Sequence, residues 1–289
     1  MRDFPSSFSE TGVQVAATSK SGKTAQNLVT CVYSAQLCGR SCAITITWSK
    51  HRMGQLGLTI GVDDSGNRSL RKVDIRSRLF SKKKGLQERG LTRAYQDVFW
   101  DLSKAKPESG PEPAEGFYVV VLFDFQIVLL LGDLIKEAHR RTYSIPPPSN
   151  AVVFVAKREH IFGKKIYLTR AQFCYNGGFH DIAIECEAMG LKDAWLEIRI
   201  DEKRVMQVKR LLWKFKGNQT IVVDGLPVEV FWDVHNWLFD ASSMSSVVFM
   251  FQSRASAGKP SVKKSSQMLA ESQLPGTGFS LILYALKRE

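Results

Sequence analysis

Two basic segments contain the residue types best suited to bind an anion. Residues 68–93 hold ten Lys or Arg against Asp74 and Glu88, and residues 203–216 hold six cations and no acidic residue. Aromatic residues are interleaved with them, Phe80 in the first segment and Trp213 and Phe215 in the second. On a strand surface, cations contact phosphate groups and aromatic rings stack on bases. The residues predicted to bind an anion are Arg71, Lys72, Arg76, Arg78, Lys82, Lys83, Lys84, Lys203, Arg204, Lys209, Arg210, Lys214 and Lys216.

The overall charge favours the same class of partner. Lys and Arg total 40 against 28 Asp and Glu, a formal net charge of +12. Such an excess favours RNA, anionic lipid or an acidic protein. The alternative is a solvated basic surface without a partner, with Trp213 and Phe215 pointing into the core. Sequence alone leaves both interpretations open.

Motifs for nucleotides and metals are weak. Residues 21–24 read Ser-Gly-Lys-Thr, but Ala17 replaces the upstream glycine of a P-loop, and no strand precedes it. The five cysteines include no Cys-x-x-Cys pair and the five histidines are scattered. We therefore expect neither a metal nor another cofactor.

The candidate catalytic residues are likewise not accompanied by a recognisable catalytic motif. His180 is followed by Asp181, and His235 lies two residues after Asp233, but no nucleophile elbow accompanies either pair. Asp101 and Asp233 occur in similar sequences, and such residues often end a strand and cap a turn. We expect no catalytic site, and thus a protein that is not an enzyme.

Cysteine usage and the N-terminus predict an intracellular protein, cytoplasmic or nuclear and not secreted. The cysteine count is odd, which is typical of reduced thiols. The first 25 residues lack an apolar core that would mark a secretion signal. The most apolar stretch, residues 117–131, is too short for a transmembrane helix and predicts two buried strands around a turn.

Apolar residues alternate with polar ones through most of the chain, which predicts an all-β fold. Helical spacing occurs only near residues 134–141. Four segments recur in one order: residues 35–38 match 171–174, 44–46 match 182–184, 58–63 match 196–201 and 98–101 match 230–233. The repeat predicts two duplicated antiparallel units of about seven strands each, sandwich- or barrel-like, either separate or merged.

The repeat also predicts the domain limits. A disordered tail should cover residues 1–24, a first β unit residues 25–145 and a second β unit residues 151–289. Between them lies the proline-rich linker 145–150. A Ser- and Lys-rich insertion at residues 253–277 should be mobile.

Several segments resemble one known family. They include residues 1–5, 25–31, 110–119, 207–215, 228–238 and 278–285. Together they are similar to the plant-specific family catalogued as domain of unknown function eight-six-eight, and the similarity covers essentially the whole chain. The resemblance implies a plant protein and brings no activity, cofactor or site residue with it.

Three functional hypotheses remain. In the first, a non-enzymatic binding or scaffold protein uses basic β surfaces to contact an anionic partner. In the second, the β unit encloses a small apolar or sugar ligand. In the third, an enzyme site forms between the two units. The charge favours the first.

Overall fold

The computed structural model describes residues 27–37, 40–50, 56–64, 69–76, 84–87, 96–107, 110–143, 152–163, 165–174, 177–187, 194–239, 246–253 and 278–287. The fold is all-β, which confirms the fold class predicted from the alternating pattern. The predicted N-terminal tail, the linker and nearly all of the insertion lie outside the described residues.

The chain divides into two compact units between Glu159 and His160. This division lies within a single strand, β11 (Val152–Gly163).

The first unit contains four strands that pair antiparallel in the order β1-β2-β3-β4, a four-stranded antiparallel sheet of order β10-β9-β6-β5 and a short ribbon. The ribbon pairs β7 with β8. The strands are β1 (Asn27–Leu37), β2 (Arg40–Lys50), β3 (Leu56–Asp64), β4 (Ser69–Arg76), β5 (Lys84–Gln87), β6 (Gln96–Asp101), β7 (Lys106–Pro107), β8 (Pro113–Glu115), β9 (Tyr118–Phe123) and β10 (Gln126–Gly132).

Alternation in these strands builds the core of the first unit. On β2, Ile44 and Ile46 are fully buried and Trp48 is nearly so, while the residues between them are partly exposed. Trp48 meets Phe117 edge to face at 5.6 Å. The apolar stretch forms β9 and β10 around the turn Asp124–Phe125, as predicted. Burying one face of each strand is the main favourable term in forming this unit.

The second unit contains a four-stranded antiparallel sheet of order β12-β13-β14-β15 and four further strands that pair antiparallel in the order β16-β17-β18-β19. Each set of four strands is a simple meander. The strands are β12 (Ile166–Gln172), β13 (Phe179–Glu187), β14 (Trp195–Ile200), β15 (Lys203–Lys209), β16 (Lys216–Val223), β17 (Leu226–Asp233), β18 (Ser246–Ser253) and β19 (Ser280–Lys287). Ile184, Ile198, Phe249 and Phe251 are among its fully buried side chains.

Two short helices complete the described structure. The helix α1 (Ile135–Thr142) lies where helical spacing predicted one and buries Ala138. The helix α2 (His235–Phe239) has only five residues and was not predicted. A single turn is too short to show an apolar period.

Residues matched by the sequence repeat occupy matched places in the strand registers. Ile46 pairs with Ile60 in the first unit, and Ile184 pairs with Ile198 in the second. Gly85 lies opposite Trp100, and Gly217 lies opposite Trp232. These pairs are what a duplication predicts, and superposition of the two units would test the duplication itself.

The pair of Gly217 and Trp232 gives a test of the packing. Trp232 is 5% exposed, and a Cβ on Gly217 would lie 2.6 Å from its Cζ2 atom. Trp232→Ala should lower the free energy of unfolding by about 3–5 kcal/mol. Gly217→Ala should cost about 1–3 kcal/mol, because the ring has to move. Urea denaturation measures both.

The control for this experiment is Gly178→Ala. Gly178 is exposed and an added Cβ would contact only the end of His180 at 4.0 Å, so little change is expected. In a double-mutant cycle, Gly217→Ala should become nearly neutral once Trp232 is Ala. Additive costs would contradict the proposed packing.

Candidate anion-binding surface

A basic loop, residues 209–216, joins β15 to β16 in the second unit. Its conformation depends on Leu211, which is fully buried and whose N–H donates to the Ala194 carbonyl at 2.9 Å. Two internal bonds close the turn, from Trp213 N–H to the Arg210 carbonyl and from Lys214 N–H to the Leu211 carbonyl. The loop is therefore ordered by its own backbone and by one buried side chain.

Trp232 secures the far side of the basic loop. Its indole Nε1–H donates to the Lys214 carbonyl at 2.9 Å. The Val234 N–H donates to the Phe215 carbonyl at 2.8 Å, which extends the pairing between β16 and β17 by one more bond. The buried core and the surface loop are thus joined through a hydrogen bond.

The basic loop contains three exposed cations and an exposed indole within six residues of chain. Trp213 is 85% exposed, and the side chains of Lys209, Arg210 and Lys214 are also exposed. In the described part of the chain, no carboxylate forms an ion pair with these three cations. The alternative that Trp213 points into the core is wrong, because the tight turn directs its ring outward.

Phe215 behaves differently from Trp213. It is half-buried, with its ring 5.4 Å from that of His235 and 5.7 Å from that of Phe239. Phe239 itself is 53% exposed. The start of β16 and the helix α2 therefore share an aromatic cluster beside the basic loop.

The remaining cations of the second segment lie elsewhere or are neutralised. Lys203 and Arg204 begin β15 and Lys209 ends it. At the usual rise per residue of a strand, Lys203 and Lys209 are about 20 Å apart. Arg204 lies 3.7 Å from Glu197, and Lys216 lies 3.2 Å from Asp233. The predicted cations of this segment thus form two groups at opposite ends of β15.

The cations of the first segment are only partly located. Arg71, Lys72 and Arg76 belong to β4 and Lys84 begins β5, but only their backbones are described. Lys84 pairs with Asp101 in the register in which Lys216 pairs with Asp233. Arg78, Lys82 and Lys83 lie outside the described residues.

Comparison with known proteins agrees with the sequence resemblance. The family described as "Plant protein of unknown function (DUF868)" matches residues 24–287. The chain belongs to this family. No curated protein and no solved structure matches this DUF868 chain.

A second polar cluster, centred on His180, was not predicted. The Nδ1 atom of His180 lies 2.6 Å from Asp201 Oδ2, and its Nε2 atom lies 2.8 Å from Asp224 Oδ2. The two carboxylates come from hairpin turns, since Asp201–Glu202 and Asp224–Gly225 have positive φ values typical of type I′ turns. The Asp-Gly pair alone signals a turn in the sequence. That both turns converge on His180 is tertiary information.

The carboxylates favour a charged imidazole. Hydrogen bonding to Asp201 is the largest cause that raises the pKa of His180 above its ordinary value of 6.5, burial opposes it, and Asp224 adds to it. The same bond lowers the pKa of Asp201. A protonated His180 donates from both ring nitrogens and joins the two turns.

The two aspartates that occupy similar sequences cap turns. Asp101 is buried and accepts from the N–H and the hydroxyl of Ser103 at 2.9 and 2.6 Å. Asp233 accepts from the His235 N–H at 3.2 Å. In this DUF868 chain both side chains act as local backbone caps.

A buried ionic cluster lies in the first unit. Lys157 Nζ is 3.0 Å from Glu112 Oε2 and 3.6 Å from Glu159, and the Cys31 thiol donates to Glu112 at 3.3 Å. Burial and then Glu112 raise the pKa of Cys31 well above its usual range. Burial acts to lower the pKa of Lys157, but Glu112 and Glu159 outweigh it and raise that pKa. Both groups are thereby held in their less nucleophilic, protonated forms.

The described residues were also compared with the expectations for free cysteines, metal sites and membrane-spanning helices. The four described cysteines, Cys31, Cys42, Cys174 and Cys186, are free thiols. Across the described ranges, no group of His, Cys, Asp or Glu is arranged to hold a metal ion. Within those ranges there is also no helix long and apolar enough to cross a bilayer.

The His180 cluster predicts a specific pH dependence. Because its folded-state pKa is raised, the stability it contributes is fully present below about pH 6.5 and is lost as pH rises through the folded-state value. His180→Gln should lower the free energy of unfolding by about 1–2 kcal/mol near pH 6. As pH rises through the folded-state pKa, the wild type loses its charged bonds, so the difference should shrink. A difference that stays constant over a series of pH values in urea denaturation would contradict a charged His180.

Proposed function

We propose that this protein is a non-enzymatic binding protein that contacts an anionic partner through the basic loop. The observation that carries the proposal is the set of three exposed cations, Lys209, Arg210 and Lys214, which flank the exposed Trp213 in the chain and have no acidic partner among the described residues. Unneutralised cations beside an exposed aromatic ring are the composition of an anion-binding surface.

Several other cations of the second unit form ion pairs with carboxylates, unlike the cations of the basic loop, and this difference supports the proposal. Arg199 contacts Glu197 and Glu185, Arg204 contacts Glu197, and Lys165 contacts Glu187 at 2.6 Å. Those cations are already neutralised within the fold. A partner that binds there has to displace a carboxylate, whereas a partner that binds the basic loop does not.

The backbone of Arg210 gives a second line of support. Its φ is 55°, in the left-handed region that costs an L-residue about 1–2 kcal/mol and favours glycine. Backbone strain of this kind is concentrated at functional sites. At Arg210 that side chain supplies a cation.

The ionic cluster of Cys31, Glu112 and Lys157 in the first unit is not arranged for nucleophilic catalysis. A catalytic Cys or Lys needs a lowered pKa to act as a nucleophile near neutral pH. The pKa values of Cys31 and Lys157 are raised instead. Their arrangement suits a structural role.

The test compares two single-charge variants at opposite ends of β15. The full chain is titrated with anionic vesicles and, separately, with single-stranded RNA at low salt, and binding to at least one probe is expected. Lys214→Gln should weaken that binding roughly fivefold, since each contacting cation contributes about 1 kcal/mol. Lys203→Gln removes the same charge far from the basic loop and should change it little.

Arg210→Gly provides a variant with little structural cost. Glycine accepts the left-handed backbone, so stability should stay close to that of the wild type while binding weakens. Binding should also fall steeply with salt. Equal effects of Lys214→Gln and Lys203→Gln, or no binding to either probe at low salt, would overturn the proposal.

A further inference from the structure

We propose that the partner of the basic loop is an anionic lipid surface, into whose interface Trp213 inserts. This inference rests on the proposed function and adds the class of partner. It makes Trp213 the apolar anchor, with Lys209, Arg210 and Lys214 as contacts to lipid headgroups.

The exposure of Trp213 is the first observation. All six tryptophans are described, and the other five are buried or half-buried. At 85% exposure, the Trp213 ring is open to solvent on nearly all sides. A rigid amphipathic ring in that position fits the membrane–water interface, where tryptophan is enriched.

The second observation is that the basic loop is already ordered. The buried Leu211, the two backbone bonds of the turn and the bond from Trp232 to the Lys214 carbonyl hold the position of Trp213. Insertion therefore requires little ordering of the loop, which would otherwise reduce affinity.

The third observation is a second exposed aromatic side chain at the same end of the unit. Phe239 packs on Phe215, which directly follows Lys214, and stays 53% exposed. Aromatic side chains with adjacent cations supply the two signals that reversible membrane attachment needs, apolar insertion and attraction to anionic headgroups.

The shape of the surface favours lipid over nucleic acid. Proteins that bind single strands by stacking use a groove that follows the phosphate backbone, with bases resting on its aromatic walls. A ring as exposed as Trp213 lies on a turn beside which the described residues form no such walls. An exposed apolar tip suits penetration of an interface.

The experiment uses the full chain and vesicles of phosphatidylcholine, with or without phosphatidylserine. Sedimentation should show binding that requires phosphatidylserine. Trp213→Ala should weaken it about tenfold, whereas Trp213→Leu should retain much of it, because leucine also enters the interface but does not stack on bases. Thermal unfolding checks the fold, and it should not change because Trp213 is exposed.

Quenching of tryptophan fluorescence measures insertion of Trp213 directly. Vesicles with brominated acyl chains should quench tryptophan fluorescence in the wild type, and this quenching should be largely absent in Trp213→Phe. Trp213→Phe should still bind, since phenylalanine also partitions into the interface.

The results of these binding experiments distinguish the lipid-insertion proposal from the more general proposal of anion binding. If Lys214→Gln weakens vesicle binding but Trp213→Ala does not, the contact is electrostatic alone. The insertion proposal then fails while the proposed function stands. If single-stranded RNA binds more tightly, displaces vesicles and quenches Trp213, the partner is nucleic acid and the lipid proposal fails. If neither probe binds at low salt, both proposals fail.

Discussion

In each unit a tryptophan on one strand lies opposite a glycine on the neighbouring strand, and in the second unit the packing between these two strands depends on this pair. Trp232 lies across Gly217 so closely that the position admits no Cβ without movement of the ring. The indole N–H then reaches the Lys214 carbonyl and holds the basic loop. One large buried side chain therefore orders a surface loop, because its polar edge finds a hydrogen-bond acceptor at the boundary of the core.

The distribution of charge follows from strand geometry. Alternate side chains are buried along many of the strands, so cations there are confined to outward positions and to chain reversals. Outward cations on β14 and β15 meet carboxylates of adjacent strands, as Arg199 meets Glu185 and Arg204 meets Glu197. The cations Lys209, Arg210 and Lys214 lie at the end of β15 and in the turn that follows it, and among the described residues they have no such partner. Chain reversals are therefore where unneutralised charge can persist.

At the His180 cluster, chain reversals instead place charged side chains in contact with a partner within the fold. Two hairpin turns place Asp201 and Asp224 against the two nitrogens of one imidazole, and the raised pKa of His180 follows from that arrangement. At this end of the second unit charges are satisfied within the fold. The end that carries the basic loop instead leaves cations and an indole exposed.

The sequence by itself determined the strands, the apolar hairpin of β9 and β10, the helix α1 and the family. These features depend on local periodicity and on segments that are similar within a family, and both can be read along the chain. It also identified the cations and aromatics of residues 203–216. Tertiary structure alone decided that Trp213 faces solvent and Phe215 does not, because that depends on how the Leu211 anchor bends the loop. It also separated Lys203 and Arg204 from the basic loop and paired His180 with Asp201 and Asp224, contacts that depend on strand pairing across 21 and 44 residues of chain.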